Sequence, residues 1–239
     1  MRTITPSAPG HGAPQADPHD RITRRLLLCG AVAGPLFVLA LLLQGAVRAD
    51  YDPLRHPGSS LTLGEYGWVQ AANFIVAGVL SLAFAFGLRR ALGGAVWGPI
   101  LVGIWALGFI GAGVFTSDPV SGYPPGTPAM LPEHSSLEAA LHDLFSLLGF
   151  VALVLACVVL ARRGGAGWAV YSVASAVAFV VAMVLASAAF AQNPALVAYG
   201  GLLQRTAVIV GWAWLAVLAV RLAFFPPRSE LRAESVNST

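Results

Sequence analysis

Six runs of apolar residues, each about 20 long and none with a charge in its central turns, decide most of what this chain can fold into. They lie near Leu26–Val47, Trp68–Leu88, Ala95–Phe115, Leu141–Ala161, Trp168–Phe190 and Leu202–Phe225. A bilayer core of about 30 Å takes roughly 20 residues of helix to cross. The expected fold is therefore all-α, a polytopic membrane bundle of six transmembrane helices near 26–47, 68–88, 95–115, 141–161, 168–190 and 202–225. A soluble alternative fails on composition. Charged residues are 10% and apolar residues 57%, against about a quarter and just under half in soluble domains. A water-facing surface cannot be built all round from that supply.

The links between the runs set the orientation. Arg89-Arg90 and Arg162-Arg163 sit in short basic links, whereas the link 116–140 has no arginine. Lysine is absent, so arginine alone carries the positive-inside bias. Arg2, Arg21, Arg24, Arg25, Arg89, Arg90, Arg162, Arg163, Arg221, Arg228 and Arg232 fall on one side, and only Arg48, Arg55 and Arg205 on the other. Both termini are expected in the cytoplasm, with outer loops at 48–67 and 116–140 and the chain in the plasma membrane. Residues 1–25 and 226–239, polar and without apolar period, are expected as disordered cytoplasmic tails around a membrane domain spanning 26–225. That location discounts Asn237-Ser238-Thr239 as a glycosylation site. Thr23-Arg24-Arg25 before Leu26-Leu27-Leu28-Cys29 superficially resembles an export signal, but the apolar run continues well past Cys29 and is read as a retained helix. Cys29 and Cys157 are expected as free thiols. The net charge of +3 is too small and too evenly divided for a nucleic-acid surface.

Small residues predict where helices approach. Gly30 and Gly34 form a small-xxx-small pair, and Gly98, Gly103, Gly108 and Gly111 recur along the third run. Trp68, Trp97, Trp168, Tyr66, Tyr171 and Tyr199 stand at run ends, where an aromatic belt belongs.

The residues with chemistry cluster at the outer ends. Ser135-x-x-Glu138 reads as a capping box opening the fourth helix. Glu138 and His142 share a face, and Asp143 follows. Gln70 and Asn73, three apart, lie near the outer end of the second helix, and Gln204 and Arg205 at the outer start of the sixth. A charge at such a depth is costly when unpaired, so Asp143 and Arg205 are expected to pair. Gln70, Asn73, Gln204 and Arg205 are the candidate ligand contacts. A sharper reading takes His142, Asp143, His56 and Asp118 as catalytic acid–base groups, or His56, His142 and Asp143 as metal ligands, with His134 nearby. Those types suit zinc, but no HxxxH or HExxH spacing accompanies them. The plainer reading has these side chains hydrogen-bonding one another and anchoring the loops. Asn73 reads more naturally as a helix–helix bond.

At these residues a family resemblance enters. His56-Pro57-Gly58-Ser59-Ser60-Leu61 with Gly67-Trp68-Val69-Gln70, Phe115-x-x-Asp118-Pro119-x-x-Gly122-Tyr123-Pro124-Pro125-Gly126, and Leu141-His142-Asp143 resemble the loops and fourth-helix start of the bacterial domain-of-unknown-function 998 family. Gly58 departs from the family pattern, which is usually apolar there. The resemblance spans Leu26 to Phe225 and implies a six-helix integral membrane protein, with no reaction attached. Three functions are weighed: binding of a small molecule or lipid at an outer-leaflet polar cluster, a membrane-embedded and metal-assisted hydrolase at the outer leaflet, and a small-solute transporter built on inverted repeats. The bilayer is the one partner the chain demands.

Overall fold

The computed structural model describes residues 18–130 and 136–225, with side chains from Arg21 onward. Six helices carry it: α1 (Pro18–Val47), α2 (Gly67–Ala91), α3 (Trp97–Val114), α4 (Leu137–Ala161), α5 (Gly165–Phe190) and α6 (Gly200–Phe224). Each is long and apolar enough to cross a membrane. Hydrocarbon offers no partner to a backbone N–H or C=O, so apolar runs of this length close their hydrogen bonds internally as helix. The chain is a multi-pass membrane protein.

Two helix starts differ from the sequence reading. The first begins at Pro18 rather than near Leu26. Proline at the first helical position loses only an N–H that the helix would leave unpaired, so the polar turns through Arg25 continue the helix. The fourth is capped by Ser136, whose side chain accepts from the Ala139 N–H at 3.1 Å. Glu138 is thus not the reciprocal partner in that cap; it accepts from Thr116 Oγ1 at 2.7 Å instead. Ser135 and His134, and the tails 1–17 and 226–239, lie outside the described residues.

Each helix packs on its neighbours in the chain, and α6 closes the ring onto α1. Contacts between link residues place the helix ends. Arg90 Nε donates to Thr23 Oγ1 at 3.0 Å, Arg24 lies 4.5 Å over the Phe224 ring, and Arg221 lies 4.5 Å over Trp168. Those residues, with the 92–96 and 162–164 links, form one end of the bundle. The longer links 48–66 and 191–199, with residues 115–130, form the other, here called the loop end. Trp68 and Trp97 are 69% and 68% exposed at opposite ends, as belt residues should be. Trp168 is not a belt residue. It is buried, donates to Leu160 O at 2.9 Å and stacks on Trp214.

Small residues let the helices close up. A Cβ added to Gly34 would stand 2.9 Å from Trp212 Cβ, and one on Gly108 would stand 2.7 Å from the Phe145 carbonyl oxygen. Neither gap admits a side chain, so α1 meets α6, and α3 meets α4, at backbone distance. Between them, at mid-bundle, Phe37, Trp105, Phe109 and Trp212 form an interlocked aromatic core. Phe109 and Trp212 meet edge to face at 4.8 Å, as do Trp105 and Trp212 at 5.1 Å. Edge-to-face pairs are the favoured arrangement for such rings.

Candidate functional site

The first long link is locked to α6 by backbone carbonyls rather than by a carboxylate. Arg205 is buried, and its Nη1 donates to the carbonyls of Pro53 at 2.7 Å, His56 at 3.0 Å and Gly201 at 3.0 Å. Its Nη2 donates to the Tyr51 hydroxyl, which itself donates toward the carbonyls of His56 and Pro57 at 3.1 and 2.9 Å. Beside it, Gln204 Oε1 accepts from the Gly58 N–H at 2.8 Å. The expected Asp143–Arg205 pair does not form, because the guanidinium fork is already occupied by the loop. A planar fork with several donors suits such a cluster of carbonyls better than a single ion pair would.

His56 belongs to this lock. Its Nδ1 accepts from the Asp52 N–H at 2.9 Å, so the neutral ring carries its proton on Nε2. The ring packs between Tyr51 and Tyr123, with centroids 5.4 and 5.2 Å away. Burial holds the imidazole below its usual value, against the pull of the Asp52 charge, and burial raises the Tyr51 hydroxyl despite Arg205. His56 therefore does not join His142 and Asp143 as a metal set. Among the described residues no three His, Cys, Asp or Glu side chains come together around a common point.

The second long link is pinned to the start of α4. Asp118 accepts from the Ser136 N–H at 2.7 Å and from its hydroxyl at 2.9 Å. One turn inside, His142 Nδ1 lies 3.1 Å from Ala112 O and 2.9 Å from Phe115 O. Both are pure acceptors, so Nδ1 carries the proton and caps carbonyls that the end of α3 leaves open. The Nε2 of the neutral ring is then a lone-pair acceptor. Facing it across the bundle, Gln70 Oε1 accepts from Gln44 Nε2 at 2.8 Å and Asn73 Nδ2 at 3.2 Å, and Asn73 also reaches Phe37 O in α1 at 3.2 Å. Asn73 is thus a helix–helix bond. Gln70 Nε2 has no hydrogen-bond partner among the described residues.

Between these groups lies a chamber of about 680 Å³ at the loop end. Its inner walls are apolar: Phe37, Phe74, Phe109, Phe150 and Val208, with Met183 from α5. Polar groups ring its upper part. These are Gln70, Asp118, His142, Asp143 and Gln204, all legible as candidates in the sequence, together with Ser59, Ser117, Ser146 and Ser187, which were not. Ser146 and Ser187 lie inside apolar runs, where small hydroxyls read as packing residues until the helices are assembled. His56, Asn73 and Arg205 are absent from the lining.

One wall of the chamber is built by Asp143, Ser146, Leu147 and Phe150 of α4 and Met183, Ser187 and Phe190 of α5. Leu147 is 59% exposed, and Asp143 and Ser187 are exposed as well. The α4–α5 contact is the sparsest between chain neighbours in the ring. The Phe150 and Phe179 rings meet between these two helices, 5.5 Å apart.

A chamber of roughly 300–1,000 Å³ with apolar walls and a few convergent polar groups is the ordinary form of a small-molecule site. Here the wall chemistry suits a chain and the rim suits a polar head. The sequence matches a family described as "Protein of unknown function (DUF998)" over residues 31–221. No curated protein and no solved structure matches the chain.

Proposed function

Because this chain belongs to the DUF998 family, whose function is unknown, we propose an activity from its own chamber: it binds an amphiphile taken laterally from the bilayer. The single observation behind this reading is that α4 and α5, the chain neighbours in sparsest contact, line an apolar chamber with a polar rim through residues that include the exposed Asp143, Leu147 and Ser187, and a lateral opening between them would join it to lipid. A water-borne solute has no need of a lateral opening, and a structural void has no need of a ring of hydroxyls, amides and carboxylates.

Orientation belongs to the same proposal. Arg24, Arg90, Arg162, Arg163 and Arg221 gather at one end of the bundle, and positive charge favours the cytoplasm. The loop end then faces outward, both termini face inward, and the ligand comes from the outer leaflet of the plasma membrane.

The test uses the full chain in nanodiscs of phosphatidylcholine. Native mass spectrometry should find one amphiphile retained per protein. Ser187→Trp, which would place an indole in that opening from an exposed position, should abolish retention while leaving the melting temperature within about 2 °C of wild type. Equal retention by both proteins would remove the lateral-chamber reading.

A further inference from the structure

The identity of the headgroup rests on the chamber being a lateral amphiphile site, and the chemistry of the rim narrows the choice. Among the described residues, the charged side chains that line the chamber are Asp118 and Asp143, and no arginine lines it; the sequence contains no lysine. Asp118 is committed to Ser136 through both oxygens. Asp143 accepts no hydrogen bond among the described residues, is exposed, lines the chamber, and lies within electrostatic reach of His142 and Asp118.

The neighbouring His142 gives an independent indication. It is 4% exposed, its Nδ1 proton is held by two α3 carbonyls, and its Nε2 acceptor has no partner among the described residues. An acceptor that lines the chamber gains a hydrogen bond when a ligand brings a donor to it. A carboxylate and a ring nitrogen side by side are both acceptors, so they call for one group with several N–H donors and a positive charge. The nearby cations do not supply it, since Arg205 is held by the carbonyls of Pro53, His56 and Gly201, and Arg55 by that of Ser121. Behind the pair stand Phe74, Phe109 and Phe150, whose ring faces attract cations and whose bulk suits a hydrocarbon chain.

We infer that the chamber takes an amphiphile with a protonated amine headgroup, its N–H groups donating to the Asp143 carboxylate and His142 Nε2 and its chain lying among the phenylalanines. An alcohol of equal length brings one donor and no charge, and an anionic amphiphile adds repulsion.

Equilibrium binding to the full chain in phosphatidylcholine nanodiscs separates the cases, with protein-free nanodiscs subtracted. The probes are radiolabelled dodecylamine, dodecanol and dodecanoate. Dodecylamine should bind about 10-fold or more tighter than dodecanol, since a hydrogen bond to a charged group contributes on that scale, and dodecanoate should bind weakest. Asp143→Asn should bring dodecylamine down to the affinity of dodecanol and leave dodecanol unchanged. Equal binding of all three probes by the wild type overturns the amine assignment and leaves the chamber reading standing. No saturable binding of any probe removes both. Should Asp143→Asn not purify, dodecyltrimethylammonium decides with wild-type protein alone: it has the charge but no N–H, and binding as tight as dodecylamine would refute the two-acceptor geometry.

Discussion

Replacing Arg205 tests how the loop end is held. Alanine there would leave the carbonyls of Pro53 and His56 and the hydroxyl of Tyr51 without their strongest donor, with His56 and Tyr51 buried and Pro53 half-buried. Each buried polar group left unsatisfied costs about 1–3 kcal/mol. The loss is moderated because the wild-type guanidinium is itself desolvated and its Nε has no partner among the described residues. A net destabilisation of about 3–5 kcal/mol is expected for Arg205→Ala, in the range found when one member of a buried charged network is removed. Lysine keeps the charge but not the fork. It can meet one or two carbonyls and cannot also reach Tyr51, so Arg205→Lys should lose about 1–3 kcal/mol. Reversible unfolding of the purified chain in mixed micelles, monitored by tryptophan fluorescence, gives both values. Asp143→Asn is the control and should change stability by less than about 1 kcal/mol, since Asp143 has no part in the lock. The reasoning is refuted if Arg205→Ala costs under about 1 kcal/mol, or if Asp143→Asn costs as much as Arg205→Ala, which would mean an ion pair after all.

Two further outcomes concern buried polar contacts. His56 is held below the usual imidazole value, so as pH falls the unfolded chain takes up its proton first; the stability contributed by the neutral ring is complete above about pH 6.5 and is lost as pH falls from there through the folded value. His56→Asn, whose side-chain oxygen can replace Nδ1 as acceptor for Asp52 N–H, should flatten melting temperature against pH between about 7 and 5, and an unchanged slope would contradict the assignment. Trp214 Nε1 donates to Ser172 Oγ at 3.0 Å with both residues fully buried between α5 and α6. Trp214→Phe and Ser172→Ala should each cost about 0.5–1.5 kcal/mol, and unfolding of the double variant should show less than the sum; strict additivity would mean that the bond contributes nothing.

Much of the architecture was legible because it rests on length and hydropathy alone: six runs too long and too apolar for anything but crossing helices. The candidate site was legible in part. Gln70, Asp118, His142, Asp143 and Gln204 stood out as polar residues close to apolar runs, and all line the chamber. The walls were not legible, because a phenylalanine facing a cavity and one facing lipid look the same in sequence. Arg205 was assigned the wrong partner for a related reason. Its actual acceptors are backbone carbonyls, which every residue possesses and no sequence pattern marks. Tyr51 and Tyr123, buried around His56, were hidden in proline-rich links whose composition suggests turns but not which rings meet.

The interlocked rings at mid-bundle carry a final consequence. Phe37, Trp105, Phe109 and Trp212 interlock beneath the chamber across α1, α3 and α6. On the proposed reading, an amphiphile admitted between α4 and α5 would meet these rings below it, and they would bar its way onward through the bundle.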